Sequence, residues 1–530
     1  MKANYIDYSE TNSFSPAIIR YLENDPDLEP FCSFKADIDG FRQLIDSKEQ
    51  VCNRQVLVDA LNEQYSRLAQ SIDAKVRHNI DLLLQKDTYT VTTGHQLNLF
   101  TGPLYFIFKI VTAINLAKEL KINFPDKNFV PVYWMATEDH DFAEINHTYI
   151  AGKKVSWDIP TNGATGRIST KGFEKTLRDY TGTLGVSDHA QELNKLMASA
   201  YAEHSNLADA TRSIANSLFQ NYGLVILDAD DHSLKKDFSS IIYRDITEQN
   251  SFKNISEANK RLNSLGLEVQ VNPREINFFY LKKDLRERLV FEDNWYVVLN
   301  TEIRFTAKEL RKEIEEYPER FSPNVVMRPL YQEFVLPNLA YIGGAAEIIY
   351  WLQLKQNFDF YKINFPVLLL RNSAVLTSNN LSSKLSRLDL DLRDLFKNTE
   401  ELRKEWIQAH SAHVLNLHEE LGELDDVFEK IKLRSGKIDL TLVASSEAVK
   451  ARLNKAMKNL EGKLMKAEKR NFSDALTQID SIKDKVFPRG GLQERTENFG
   501  LYYVKYGKGF IAGLVENFKP LDPKFTILEE

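Results

Sequence analysis

The chain has 530 residues, 68 Lys+Arg against 75 Asp+Glu for a formal charge of −7, and 43% apolar residues. No apolar run approaches the ~20 residues that a membrane-crossing helix needs, so a membrane-spanning protein is not expected. The mild acidity argues against general nucleic-acid binding, which rests on neutralising phosphates.

The first thirty residues hold Asp7, Glu10, Glu23, Asp25 and Asp27 and lack the basic start and apolar stretch of a signal peptide, so a cytoplasmic protein is expected. Cys32 and Cys52 are too few for a disulfide framework or a four-thiolate zinc site, which fits a reducing compartment; they read as core residues rather than nucleophiles. At roughly 150 residues per domain the length predicts two to four domains.

In chain order, the first strong element is a strand, Thr88-Tyr-Thr-Val-Thr92, running into Thr93-Gly94-His95. A helix is predicted from about Pro103 to Leu120, with Ile107, Val111, Ile114 and Leu120 on one face, and Phe129–Ala136 is a second apolar strand. This is a βαβ unit, which implies a parallel sheet and a right-handed crossover. Residues 151–215 carry Asn162-Gly163 and Thr165-Gly166 turn signals and read as an inserted element. Further strands are predicted at Gly223–Leu227 and Phe365–Leu370, the latter buried on both faces.

From Pro366 to Pro488 no proline intervenes and only Gly422, Gly436 and Gly462 occur, which permits long helices. Val414, Leu417, Leu421, Leu424, Phe428 and Ile431 form one coiled-coil seam, and Val449, Leu453, Met457, Leu460 and Leu464 a second. The reversal between them is predicted at Arg434-Ser435-Gly436-Lys437, with Gly436 as a left-handed cap. The expected architecture is a doubly wound, Rossmann-like α/β core over residues 1–375 with connective insertions, an antiparallel coiled-coil arm over 376–480, and a segment, 481–530, returning to the core. An arm with two apolar seams is expected to pair with a second copy, giving a homodimer.

In open α/β sheets ligands bind beyond the carboxyl ends of the strands. The first strand ends in Gly94-His95-Gln96, followed by Asn98, Thr101 and Gly102 before the helix. Glycine and a helix start suit an anion, and a tight strand-to-helix turn is the plainer alternative. The second strand delivers Glu138, Asp139, His140 and Asp141, with Glu144, Asn146 and His147 close behind. Carboxylates crowded around an imidazole separate into acid and base roles or bind an ammonium. A metal site is the weaker alternative, because no fixed ligand spacing is present.

Asp228 follows a strand and suits hydroxyls or an ammonium, and Arg328 beside Pro329, with Gln332, suits a carboxylate clamp. Gly343-Gly344, with Glu347 one turn later, is a glycine turn opening a helix.

These motifs together resemble a known family. Thr93–Gln96 with Leu99–Pro103, Trp134–Asp141, Ser322–Val325 with Arg328-Pro329, Leu336-Pro337, Ala340–Gly344 through Glu347, and the later Phe487-Pro488 and Gln493–Arg495 are similar to the cysteine ligase family of bacillithiol biosynthesis. The family usually has glutamine where this chain has His95. The resemblance implies a nucleotidyltransferase-like core akin to class I aminoacyl-tRNA synthetases, a dimerising coiled coil, and ligation of L-cysteine to the amine of glucosaminyl-malate. On that reading Asp139 and Asp141 bind and deprotonate the ammonium, with Glu138 beside them and His140 as alternative base. ATP with Mg²⁺ would activate the cysteine carboxyl if a nucleotide is used, although no lysine signature like the second synthetase motif is found. Two rival expectations are a nucleotidyltransferase or synthetase-like enzyme for another amino acid, and a scaffold acting through its arm.

Overall fold

The computed structural model describes residues 1–49 and 51–529. Two compact units form: one from residues 1–9, 13–376 and 491–528, the other from 10–12, 377–490 and the chain end.

The first unit is organised by a five-stranded parallel sheet of β1 (Thr88–His95), β2 (Asn128–Met135), β3 (Val225–Asp228), β4 (Asn338–Gly343) and β5 (Val367–Leu370), in the order β5-β4-β1-β2-β3. These strands are buried on both faces because helices cover both sides, which removes the alternation of a half-exposed sheet, and the buried Thr90 and Thr92 hydroxyls of β1 donate to Asn338 Oδ1 of β4 (3.0 and 2.8 Å). Strand order reverses between β1 and β4, the position where α/β sheets open a crevice. One face packs Val91, Leu339, Ile342 and Leu369 against Phe41, Leu44, Leu116 and Leu120. The crossover helix runs Tyr105–Asn123 and is buried almost all round. It begins two residues after Pro103, because Leu104 N–H donates to Glu497 O (2.8 Å) instead of continuing the turn.

Two insertions depart from the sheet. After β2 a hairpin, His147–Ile150 with Lys153–Ser156, leads into helices Glu174–Leu184, Asp188–Glu203 and Leu207–Phe219. Between β3 and β4 lies a second, antiparallel sheet of Phe278–Lys282, Leu285–Glu292, Trp295–Val298, Arg304–Phe305 and Phe321–Pro323, which the sequence reading did not anticipate. A third sheet joins Lys2–Asp7, Lys524–Glu529 and Ala374–Thr377, so the chain's two ends lie side by side.

Beneath β4, Glu333 is buried with one carboxylate oxygen held by Gln332 Nε2 (2.8 Å) and Asn338 Nδ2 (2.7 Å). Its other oxygen has no partner among the described residues. Burial pushes its pKa up to about 7, against the attraction of Lys48. A carboxyl with a raised folded pKa binds more protons folded than unfolded between its ordinary value and about 7, so this group makes the fold less stable as pH rises through that window. Glu333→Gln is expected to flatten this dependence and to stabilise the protein by about 1–3 kcal/mol at pH 8 relative to pH 5. Paired thermal melts at the two pH values check it; a parallel pH profile for both proteins would reject it.

In the second unit the long helices His418–Ile438 and Thr441–Asn471 pack antiparallel, joined by Lys432–Glu447 (2.6 Å) and Lys450–Asp425 (3.0 Å) ion pairs. The reversal falls at Asp439-Leu440 and not at Arg434–Lys437. Asp439 Oδ1 accepts from Thr441 N (2.8 Å) and caps the second helix, while Gly436 stays helical. The first seam is also shorter than expected, since Val414 and Leu417 precede the helix. Phe428 is buried, whereas Val427, Ile431, Val449, Leu453 and Leu460 stay exposed. Among the described residues no helix is long and apolar enough to cross a membrane.

Candidate active site

The carboxyl ends of β1 and β2 lie side by side, with Gly94 opposite Trp134 and His95 opposite Met135. Together with the end of β4 and the inserted antiparallel sheet they enclose a cavity of about 980 Å³ at the reversal of strand order. Gly94, His95, Gln96, Glu138, Asp139, His140, Arg328, Gly344 and Glu347 all line it, so the two strand-end motifs share one hollow.

Asp139 is the exposed centre of the acidic cluster, with its side chain about a third accessible (32%). Oδ2 accepts from Gln96 Nε2 (2.6 Å) and Oδ1 from His140 N–H (2.7 Å). Burial alone would raise its pKa, but the hydrogen bonds from His140 and Gln96 and the charge of Arg286 outweigh it and hold the carboxyl well below the usual range. Asp139 is therefore a fixed negative charge, suited to holding an ammonium and poorly suited to keeping a proton. Glu138 differs. It is buried against the ammonium of Lys235, whose side chain is 1% exposed, and burial raises its pKa in spite of that partner. Lys235 also lies 3.8 Å from Asp230, which Arg167 grips through two hydrogen bonds (2.7 and 2.8 Å).

His140 receives Arg286 Nη1 at its Nδ1 (2.8 Å). A guanidinium only donates, so Nδ1 is the acceptor and the ring proton sits on Nε2. His140 thus lines the cavity with Nδ1 taken up by Arg286 and Nε2 carrying the ring proton. Asp141 turns away as the N-cap of Phe142–Ile145, accepting from Glu144 N, and is not on the cavity wall. Asn146 is likewise off the wall, bonded to Asp158 (3.2 Å).

On the β1 side, a Cβ at Gly94 would meet Tyr341 Oη at 3.3 Å and Arg328 Nη1 at 3.5 Å, so the glycine admits the guanidinium to the floor. Arg328 reaches Gln332 Oε1 (2.9 Å) and Tyr350 Oη (3.4 Å), both neutral, which leaves its charge available to a ligand. His95 packs on Tyr105 and Phe106, and its Nε2 is buried with no partner among the described residues. Burial, helped by Lys109, lowers its pKa to about 3, so the imidazole is neutral and can offer one hydrogen bond to a bound molecule. Lys109 donates to Gly94 O (2.9 Å) and pairs with Glu347. Glu347 also accepts from Gly344 N (2.7 Å) and Tyr341 Oη (2.8 Å), and these partners hold its pKa near 2 against the effect of burial. It braces the floor rather than presenting a free carboxylate.

Several expected contacts are structural instead. Asn98, Thr101 and Gly102 lie off the wall in a tight turn through positive φ at Phe100 (52°), Thr101 (70°) and Gly102 (65°). Asn498 Nδ2 ties this turn by donating to Phe100 O (2.8 Å) and Gly102 O (2.7 Å), and a Cβ on Gly102 would strike Asn98 Cβ at 2.6 Å. The turn separates Gly94 from the helix start, which corrects the expectation of an anion seated on that helix N-terminus. Gln332 is fully buried and orients Arg328. Asp228 lies behind the wall, holding the Thr137 hydroxyl and Asp230 N (2.9 Å), and burial with the neighbouring Asp230 raises its pKa to about 6. Gly343 ends β4 and accepts from Arg371 N (2.9 Å), leaving Gly344 to face the cavity.

Lys109, Arg274, Arg286, Arg288 and Arg371 also line the cavity and were not singled out from the sequence, and Arg495, named there only within the Gln493–Arg495 motif, joins them. Lys109 had a usable signal, as the lone charge in the apolar run from Phe106 to Ala117. Among the described residues no group of three His, Cys, Asp or Glu side chains could hold a metal ion.

A parallel sheet of this order, with a polar cavity at its reversal, defines a Rossmann-like α/β protein. Its family models agree: residues 1–372 match "Bacillithiol biosynthesis BshC, N-terminal Rossmann-like domain", and 374–530 match "Bacillithiol biosynthesis BshC, C-terminal coiled-coil domain". Relatives from Flavobacterium psychrophilum and Flavobacterium johnsoniae, each named "Putative cysteine ligase BshC", are 43% identical over 100% of both chains. The chain belongs to the BshC family of bacillithiol biosynthesis, the family its motifs resemble. A solved "putative arginyl t-RNA synthetase" from Campylobacter jejuni overlaps 84% of this chain and 98% of its own at 11% identity, with a TM-score of 0.23, too low to bear on the fold.

Proposed function

We propose that the chain is a ligase joining the carboxyl of L-cysteine to the amine of glucosaminyl-malate. One observation carries the reading: a cavity at the switch point holds a carboxylate, Asp139, kept ionised by its neighbours, among walls that carry Arg274, Arg286, Arg288 and Arg328. Such a cavity complements a molecule that bears both an ammonium and carboxylates, and the family name of the relatives points to the same chemistry. In the proposed reaction Asp139 fixes the amine and Arg328 grips a carboxylate. Neutral His95 hydrogen-bonds an oxygen of the bound molecules, and the closed floor of Tyr341, Lys109 and Glu347 limits water. The cysteine carboxyl enters as an activated acyl group, for which ATP with Mg²⁺ is the co-substrate under test; the amine nitrogen displaces the activating group as the carbon–nitrogen bond forms, and the two surplus protons of the ammonium leave to solvent.

The experiment incubates the purified protein with L-cysteine and glucosaminyl-malate, with and without ATP and Mg²⁺, and follows bacillithiol by mass spectrometry. Product with cysteine and none with serine or alanine is expected. No product in either arm, or product from another amino acid in preference to cysteine, overturns the reading.

We also propose a homodimer through the arm, supported by the exposed Val427, Ile431, Val449, Leu453 and Leu460. Light scattering is expected to give twice the 61.1-kDa chain mass, and Leu453→Glu with Val449→Glu to give one.

A further inference from the structure

The inserted antiparallel sheet presents an unusual face to the cavity. Arg286 and Arg288 are two apart on one strand, so their side chains share a face. Phe279 is registered opposite Arg288 on the neighbouring strand, and the Arg286 guanidinium lies 3.9 Å from the centre of its ring, which fixes the guanidinium plane. Arg286 Nε is buried without a partner, and the Arg274 and Arg288 guanidinium groups make no hydrogen bond or ion pair among the described residues. The intervening Glu287 lies on the opposite face, where Asn300 Nδ2 reaches it (3.2 Å). Asp139, hydrogen-bonded by Gln96, and Glu138, paired with Lys235, act on Arg286 through their charge, and neither forms an ion pair with Arg274 or Arg288 among the described residues. Guanidinium groups lining one cavity repel one another until an anion with several acceptor oxygens joins them, and forked donors match carboxylate or phosphate oxygens in pairs.

Resting on the ligase reading of this cavity, we propose that Arg274, Arg286 and Arg288 form a subsite for a dianionic group of the substrates. That group is either a dicarboxylate carried by the amine substrate or the phosphates of a nucleotide. Arg286, braced by Phe279 and His140, sets the position, and the two unpartnered arginines close on the remaining oxygens.

The test is isothermal titration of wild type, Arg274→Gln and Arg288→Gln with glucosaminyl-malate, glucosamine, L-malate and ATP, alongside thermal melts. Both arginines are partly or fully exposed, so unchanged melts are expected. At least one of the anionic ligands should bind each variant ten or more times more weakly, with glucosamine unaffected. Weakening confined to glucosaminyl-malate and L-malate assigns the dicarboxylate, and weakening confined to ATP assigns the phosphates. Equal affinity of all three proteins for every anion overturns the subsite. Binding is read without turnover, so a wild type that binds these anions through the arginines yet makes no amide refutes the ligase reading alone.

Discussion

Asp139→Asn is expected to lower amide formation by about a thousandfold or more while leaving the fold intact, because it removes a preorganised charge from a partly enclosed site. The asparagine keeps its own Oδ1 on the His140 N–H, so the turn after β2 survives. Its new Nδ2 faces Gln96 Nε2, two donors in conflict, and Gln96 answers by turning its amide over at the expense of an exposed contact with Glu144 (2.9 Å). That exchange costs about 1 kcal/mol or less. Initial rates and a thermal melt on the same preparation check the prediction, and near-normal turnover would sink the role given to Asp139. Because its folded pKa is depressed, this carboxylate stays charged above about pH 4, so any activity limb between pH 5 and 8 belongs to another group.

Lys235→Met is the change with the largest expected effect on stability. The ammonium stands between Glu138 and Asp230 in a region where the three side chains are 1%, 10% and 8% exposed. Asp230 retains Arg167, but Glu138 loses its only cationic hydrogen-bond donor among the described residues, and breaking one side of a buried pair costs about 3–5 kcal/mol. The thermal midpoint should fall by about 5 °C or more. The sign with pH is definite. Glu138, already raised by burial, rises further without the lysine, so the variant's deficit shrinks as pH falls from 8 toward 5 and the carboxyl takes up a proton. Adding Glu138→Gln should recover part of the loss at pH 8. A deficit independent of pH would mean that the ion pair is not its source.

The sheet and the first wall of the cavity were legible because their signals are local. β2 and β5 are short apolar runs and β1 a run of β-branched and aromatic residues, each followed by polar residues, and the pairing of β1 with β2 follows from the single helix between them. The second wall was not legible. Arg286 and Arg288 reach the cavity on one strand whose alternation is interrupted by charges on both faces, and Arg495 arrives from nearly four hundred residues beyond Gly102. Nothing in the local sequence states such distant pairings. Gly102 and Gly436 misled for one reason: glycine marks where a backbone can bend, but Gly102 serves a packed turn and Gly436 continues a helix. Glu347 looked like a binding carboxylate until Lys109, buried on another element, was seen to hold it.

The segment after residue 490 places Glu494, 0% exposed, against the guanidinium of Arg371 (2.6 Å) and on Ala374 N (2.9 Å), and it threads Asn498 into the turn at Phe100 and Gly102. On the ribosome, these contacts of the amino-terminal half form only after the segment that supplies Glu494 and Asn498 has been translated. A gene fragment truncated at the junction between the two family domains would strand Arg371 without its counter-charge and leave the turn at Phe100 and Gly102 without Asn498.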